Sequence, residues 1–210
     1  MEISQQVLPT EILEVLQDAE FESIGRILVE KLEYSQNQLV VRLRLTVWNE
    51  LTDQLWDMVV EKPVSKLLAE AEAGNIEIYD DHYLLWEFND QCTELYVNGN
   101  SAKASEYVGA KFYALHSAAF GEWLPLEKYI NKAGLFTAVQ MPQGLFAQGP
   151  KKILKQYESW LNELGKPAYL FEGDGLIARN VKKDDSNLQL LLLDDSYFIG
   201  KRFVFRKVAD

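Results

Sequence analysis

From Leu39 to Trp48 the chain reads LVVRLRLTVW, and its side chains sort onto two faces with period two. Leu39, Val41, Leu43, Leu45 and Val47 share one face; Val40, Arg42, Arg44, Thr46 and Trp48 share the other. A helix would scatter the aliphatics and arginines around its circumference. A strand with one buried and one solvated face accommodates them all. Such a strand needs antiparallel neighbours. Ile24–Tyr34 supplies one, across the polar turn 35–38, and Gln54–Val60 reads as a third strand that completes a meander at the N-terminal side, although the run LWDMVV is short enough to be helical.

The remaining sequence mixes strands with helices. A short amphipathic helix is expected over 10–19, with Ile12, Leu13, Leu16 and Ala19 in one stripe. Pro63 and Gly74 bracket a second helix, proline inside its start and glycine past its end. Asn75–Gly99 reads as three strands joined by two Asp/Asn turns, with His82–Phe88 as a central strand apolar on both faces. A long helix is expected over 101–121, a short one over 125–131, a strand over 135–141, a loop over 142–149 and a helix over 150–165. Strands at 168–172, 176–181, 188–193 and 197–208 close the chain. This pattern predicts an α+β fold: a mainly antiparallel sheet, built from an N-terminal meander, central strands and a C-terminal meander, with helices packed against it. One domain over 1–210 with one continuous sheet is expected, and the 142–149 loop is the best candidate for a boundary.

Bulk properties narrow the function classes. The 210 residues carry a net charge of −11, which disfavours a nucleic-acid partner because phosphate contacts require lysine and arginine. The one cysteine, Cys92, cannot close an internal disulfide and fits a reducing compartment. The first residues lack a basic segment followed by an apolar run, and no stretch is apolar for the ~20 residues a membrane span needs. A cytoplasmic protein without membrane association is therefore expected.

No catalytic or metal-binding spacing stands out. There is no HxxxH, CxxC, HExxH or G-x-S-x-G, so no metal or cofactor is expected and catalytic residues stay unassigned. The two histidines are the natural candidates for chemistry, His82 beside Asp81 and His116 on the long helix. The strand–loop–helix at 135–165 resembles an anion site at a helix start, but Pro150 stands where a phosphate loop has lysine. Aromatic residues gather between 79 and 123, among them Trp86 and Trp123, and such side chains line ligand pockets and interfaces. Together these observations predict non-catalytic binding of a partner protein or small-molecule ligand through the aromatic-rich centre, with His82, Trp86, His116, Trp123 and Asp81 as candidate contacts. The alternative is a hydrolase-like enzyme using His82 or His116 with a nearby carboxylate. A homo-oligomer built on a strand edge or aromatic patch also fits.

Overall fold

The computed structural model describes residues 2–3, 8–47, 53–121, 123–171 and 187–208. In chain order the elements begin with β1 (Glu2–Ile3), α1 (Thr10–Leu16), α2 (Ala19–Ile24), β2 (Gly25–Ser35), β3 (Gln38–Val47) and β4 (Gln54–Glu61). There follow β5 (Ser65–Leu67), β6 (Glu72–Ala73), β7 (Glu77–Asp81), α3 (Tyr83–Asn89), β8 (Cys92–Asn98) and α4 (Ser105–Phe120). The remainder comprises α5 (Leu135–Gln140), β9 (Gln143–Pro150), α6 (Lys151–Glu163), β10 (Ala168–Leu170), β11 (Gln189–Leu193), β12 (Ser196–Gly200) and β13 (Arg202–Lys207). The fold is α+β, with antiparallel sheets and packed helices, as the sequence predicts. Among the described residues it has three sheets rather than the one expected. No helix among the described residues is long and apolar enough to cross a membrane.

The chain forms two compact units, Met1–Leu85 with Asn187–Asp210, and Trp86–Ser186. The first unit holds two five-stranded sheets, ordered β1-β7-β11-β12-β5 and β13-β4-β3-β2-β6. A single apolar core joins them. Leu39, Val41, Leu43 and Leu45 of β3 meet Met58 and Val60 of β4, Leu191, Leu193 and Phe198 from the other sheet, and Ile12 and Phe21 from α1 and α2. The solvated face of β3 is laced by ion pairs, Arg42 to Asp57 at 2.8 Å and Arg44 to Asp53 at 2.7 Å. The expected strand at 197–208 is two strands in different sheets. The chain changes sheets at Gly200, where an added Cβ would lie 2.4 Å from Val60 Cγ1.

The helix expected after Pro63 is replaced by the short strands β5 and β6. Its alanines, leucines and glutamates favour a helix, but tertiary pairing overrides that preference. β5 pairs with β12 in one sheet and β6 with β2 in the other. Between them the buried Ser196 hydroxyl accepts the N–H of Ala69 at 3.0 Å, and just after β6 Asp194 accepts that of Gly74 at 2.6 Å.

Residues 83–89 form α3 rather than the central strand expected at 82–88. The run is apolar at nearly every position, so it carries neither a strand nor a helix period. Local capping favours the helix: His82 Nδ1 accepts the N–H of Leu84 at 3.2 Å.

In the second unit, β8 is central between β9 and β10. The expected loop at 142–149 is β9, paired with β8 along its length. The expected strand at 135–141 is α5, which Gly134 enters at φ 84 and which lays Phe136 against Gly109 of α4. Leu95 and Val97 of β8 are buried on the sheet face that meets α6, while Glu94 and Tyr96 alternate onto the opposite face. Phe112, Phe146 and Tyr157 interlock by edge-to-face contacts with centroids 5.0–5.3 Å apart. Lys166 is buried here, its ammonium donating to the carbonyls of Gly99 at 2.9 Å and Met141 at 2.5 Å. The outer edge of β10 is sealed by α6. Asn162 accepts the N–H of Ala168 at 3.0 Å and donates to its carbonyl at 3.1 Å, and Glu158 accepts the N–H of Leu170 at 3.1 Å. A sealed edge cannot template another strand. The strand expected at 176–181 and Trp48 lie outside the described residues.

Candidate functional site

The five residues singled out from the sequence divide between the units. Asp81 and His82 belong to the first, and Trp86, His116 and Trp123 to the second. His82 is 3% exposed and sits against the rings of Tyr79 and Tyr83, with centroids at 5.3 and 4.0 Å. Burial lowers its pKa to about 4, against a smaller opposing pull from Asp81. A neutral ring suits its bond to Leu84, since an imidazolium has no acceptor nitrogen.

His116 is 2% exposed and uses both ring nitrogens inside the second unit. Nε2 lies 2.6 Å from the Leu124 carbonyl, which can only accept, so Nε2 carries the proton. Nδ1 is then the acceptor for the Tyr157 hydroxyl at 2.8 Å. This chain of bonds ties α4, the segment after it and α6 together. Burial lowers the histidine's pKa and raises that of Tyr157.

Trp86 and Trp123 are half-buried, and the Lys152 ammonium lies 5.2 Å from the centre of the Trp86 ring. The helix start that suggested an anion site is occupied by the chain itself. Asp90 accepts the Lys152 N–H at 2.5 Å, and the Gln91 carbonyl accepts that of Lys151 at 2.8 Å. Nearby, the Glu87 carboxylate accepts from the Tyr129 hydroxyl and pairs with the Lys128 ammonium. Among the described residues no group of three or more His, Cys, Asp or Glu side chains is placed to hold a metal ion.

Two further features were not singled out from the sequence. One is a cleft of about 620 Å³ in the first unit, lined by Glu11, Glu14, Asp18 and Glu20 with Lys207 facing them. The other is aromatic. On the face of the second unit's sheet turned away from α6, Tyr96 of β8 stands beside Tyr169 of β10, with centroids at 6.0 Å and planes within 21°. Phe171 adds a third ring 6.1 Å from Tyr96. Tyr169 is 44% exposed and Phe171 41%. Phe171 is held in register by its N–H to the Glu94 carbonyl at 2.9 Å and by the Thr93 hydroxyl on its own carbonyl at 3.1 Å. Both exposed aromatics fall outside the 79–123 cluster. Their spacing, two aromatics at i and i+2 in a predicted strand, was the available signal.

No family model matches the chain, and no curated protein or solved structure shows significant similarity to it.

Proposed function

We propose that the protein acts by binding a partner protein, and that the partner lies on the aromatic face formed by Tyr96, Tyr169 and Phe171. The observation that carries this reading is the contiguity of three aromatic rings on one sheet face, two of them more than 40% exposed. Apolar surface left in water costs about 25 cal/mol per Å², so such a face gains from being covered. Tyrosine and phenylalanine lose little conformational entropy on docking and supply large contact areas. A sheet face suits a protein surface better than a small molecule, whose sites are concave. The alternative, an enzyme using His82 or His116 with a carboxylate, has less support. His116 directs both ring nitrogens to interior groups, and the accepting nitrogen of His82 holds a helix amide.

A photoreactive phenylalanine analogue at position 169 tests the reading, with the same analogue at position 42 on the ion-paired face of β3 as control. A discrete adduct from position 169 alone supports it, provided the captured protein, once purified, binds wild type and loses affinity about tenfold for Tyr169→Ala/Phe171→Ala. Equal adducts from both positions, or unchanged affinity for the variant, refute it.

A further inference from the structure

We infer that the aromatic face takes a cationic side chain, an arginine or lysine from a basic segment of the partner, against Tyr96, Tyr169 and Phe171 and beside the Glu94 carboxylate. This rests on the proposed function and names the chemistry of its partner.

Some of the chain's carboxylates are neutralised by ion pairs within it. Asp57 is paired with Arg42, Glu30 with Arg44, and Glu87 with Lys128. Each of these acids has a cation supplied by the chain. Glu94 differs. Its Oε2 accepts from the Tyr96 hydroxyl at 2.8 Å and its Oε1 from the Gln148 amide at 2.9 Å. Both donors are neutral. They fix the carboxylate in place without cancelling its charge, and no ion pair to Glu94 occurs among the described residues. A carboxylate offers about four acceptor positions, so two such bonds leave capacity for a guanidinium or ammonium.

The rings reinforce the same preference. The faces of tyrosine and phenylalanine carry negative electrostatic potential and attract a cation placed over them. Tyr96 is the shared element: its ring neighbours both exposed aromatics, and its hydroxyl is bonded to Glu94. Arginine fits better than lysine, because a planar guanidinium can stack on a ring while donating to the carboxylate. The chain's net charge of −11 favours encounter with a basic partner at long range. Because Asn162 and Glu158 seal the edge of β10, recognition runs through side chains on the face and not through strand addition.

The test uses the whole protein and two blocked five-residue peptides, one carrying a single arginine and one with citrulline in its place, titrated by two-dimensional NMR. The expected result is saturable shifts in the amides of Glu94, Tyr96, Tyr169 and Phe171 with the arginine peptide, weakening as salt is raised, and none with citrulline. Glu94→Gln weakens binding about threefold and Tyr169→Ala about fivefold. Equal shifts at the acidic cleft around Glu11 and Glu14, unaffected by Glu94→Gln, would make the binding nonspecific attraction and overturn the inference. So would equal binding of the two peptides, or binding of neither. The proposed function survives either result if the position-169 partner still depends on Tyr169 and Phe171. It falls only if that dependence is missing.

Discussion

Removing the hydroxyl of Tyr157 probes how firmly the second unit is locked. Tyr157→Phe keeps the ring and its contacts with Phe112 and Trp160 but deletes the donor to His116 Nδ1. His116 is 2% exposed, so its nitrogen is left in a dry site without that partner. Stranding a buried acceptor costs about 1–3 kcal/mol. For a chain of 210 residues each kcal/mol corresponds to about 2–4 °C, so the unfolding midpoint should drop by about 2–12 °C. Urea titration read by tryptophan fluorescence measures the change, with Trp160 reporting from 5.7 Å. The dependence on denaturant should stay constant, because the surface exposed on unfolding is unchanged. A loss below about 0.5 kcal/mol, the range of an ordinary surface substitution, would mean that the histidine is hydrated and the lock is not closed.

Further outcomes follow from the same geometry. Burial lowers the pKa of His82 to about 4 and that of His116 below its ordinary value, so between pH ~6.5 and 4 the unfolded chain binds more protons than the folded one. Stability should therefore fall as pH drops through that window and be insensitive to these groups above it. His82→Asn keeps a capping oxygen without a titrating ring and should flatten the slope; parallel wild-type and variant slopes in urea midpoints would clear His82 of the effect. In Gly200→Ala the new Cβ would lie 2.4 Å from Val60 Cγ1 and 2.9 Å from the Glu61 carbonyl, costing about 1–3 kcal/mol in thermal denaturation. A neutral result would mean that the sheet-switching corner gives way easily. Asn162→Ala frees the N–H and carbonyl of Ala168 on the edge of β10, and light scattering should then show concentration-dependent association absent from wild type. A strictly concentration-independent signal from the variant would mean the edge needs no seal.

Much of the first unit is legible in the sequence because its strands are buried on one face. Leu39, Val41, Leu43 and Leu45 alternate against Arg42 and Arg44, and the register with β2 and β4 follows. α6 is similarly clear, with Pro150 before it, Gly165 after it and one buried stripe of Ile153, Leu154, Tyr157 and Leu161. The pattern fails where burial is two-sided or long-range. Tyr83, Leu84 and Leu85 are all buried, so neither period can be read from them. The segment after Pro63 has helical composition, yet its backbone partners, β12, β2, Asp194 and Ser196, include residues more than 120 positions away. For the site, the sequence placed Tyr96 within its aromatic cluster but gave no warning that Tyr169 would be its cross-strand neighbour. It also could not show that Glu94 makes no ion pair among the described residues, since that depends on which side chains the three-stranded sheet brings together.

The central claim is that the working surface of this protein is the aromatic face of β8 and β10 and not either histidine. Hydrogen exchange of the whole protein, with and without the partner captured through position 169, tests it most directly. Slowed exchange is expected to centre on residues 93–97 and 168–171, with His82 and the acidic cleft unchanged. Protection centred on residues 79–85, or on Glu11 to Glu20, with β8 and β10 unaffected, would contradict it.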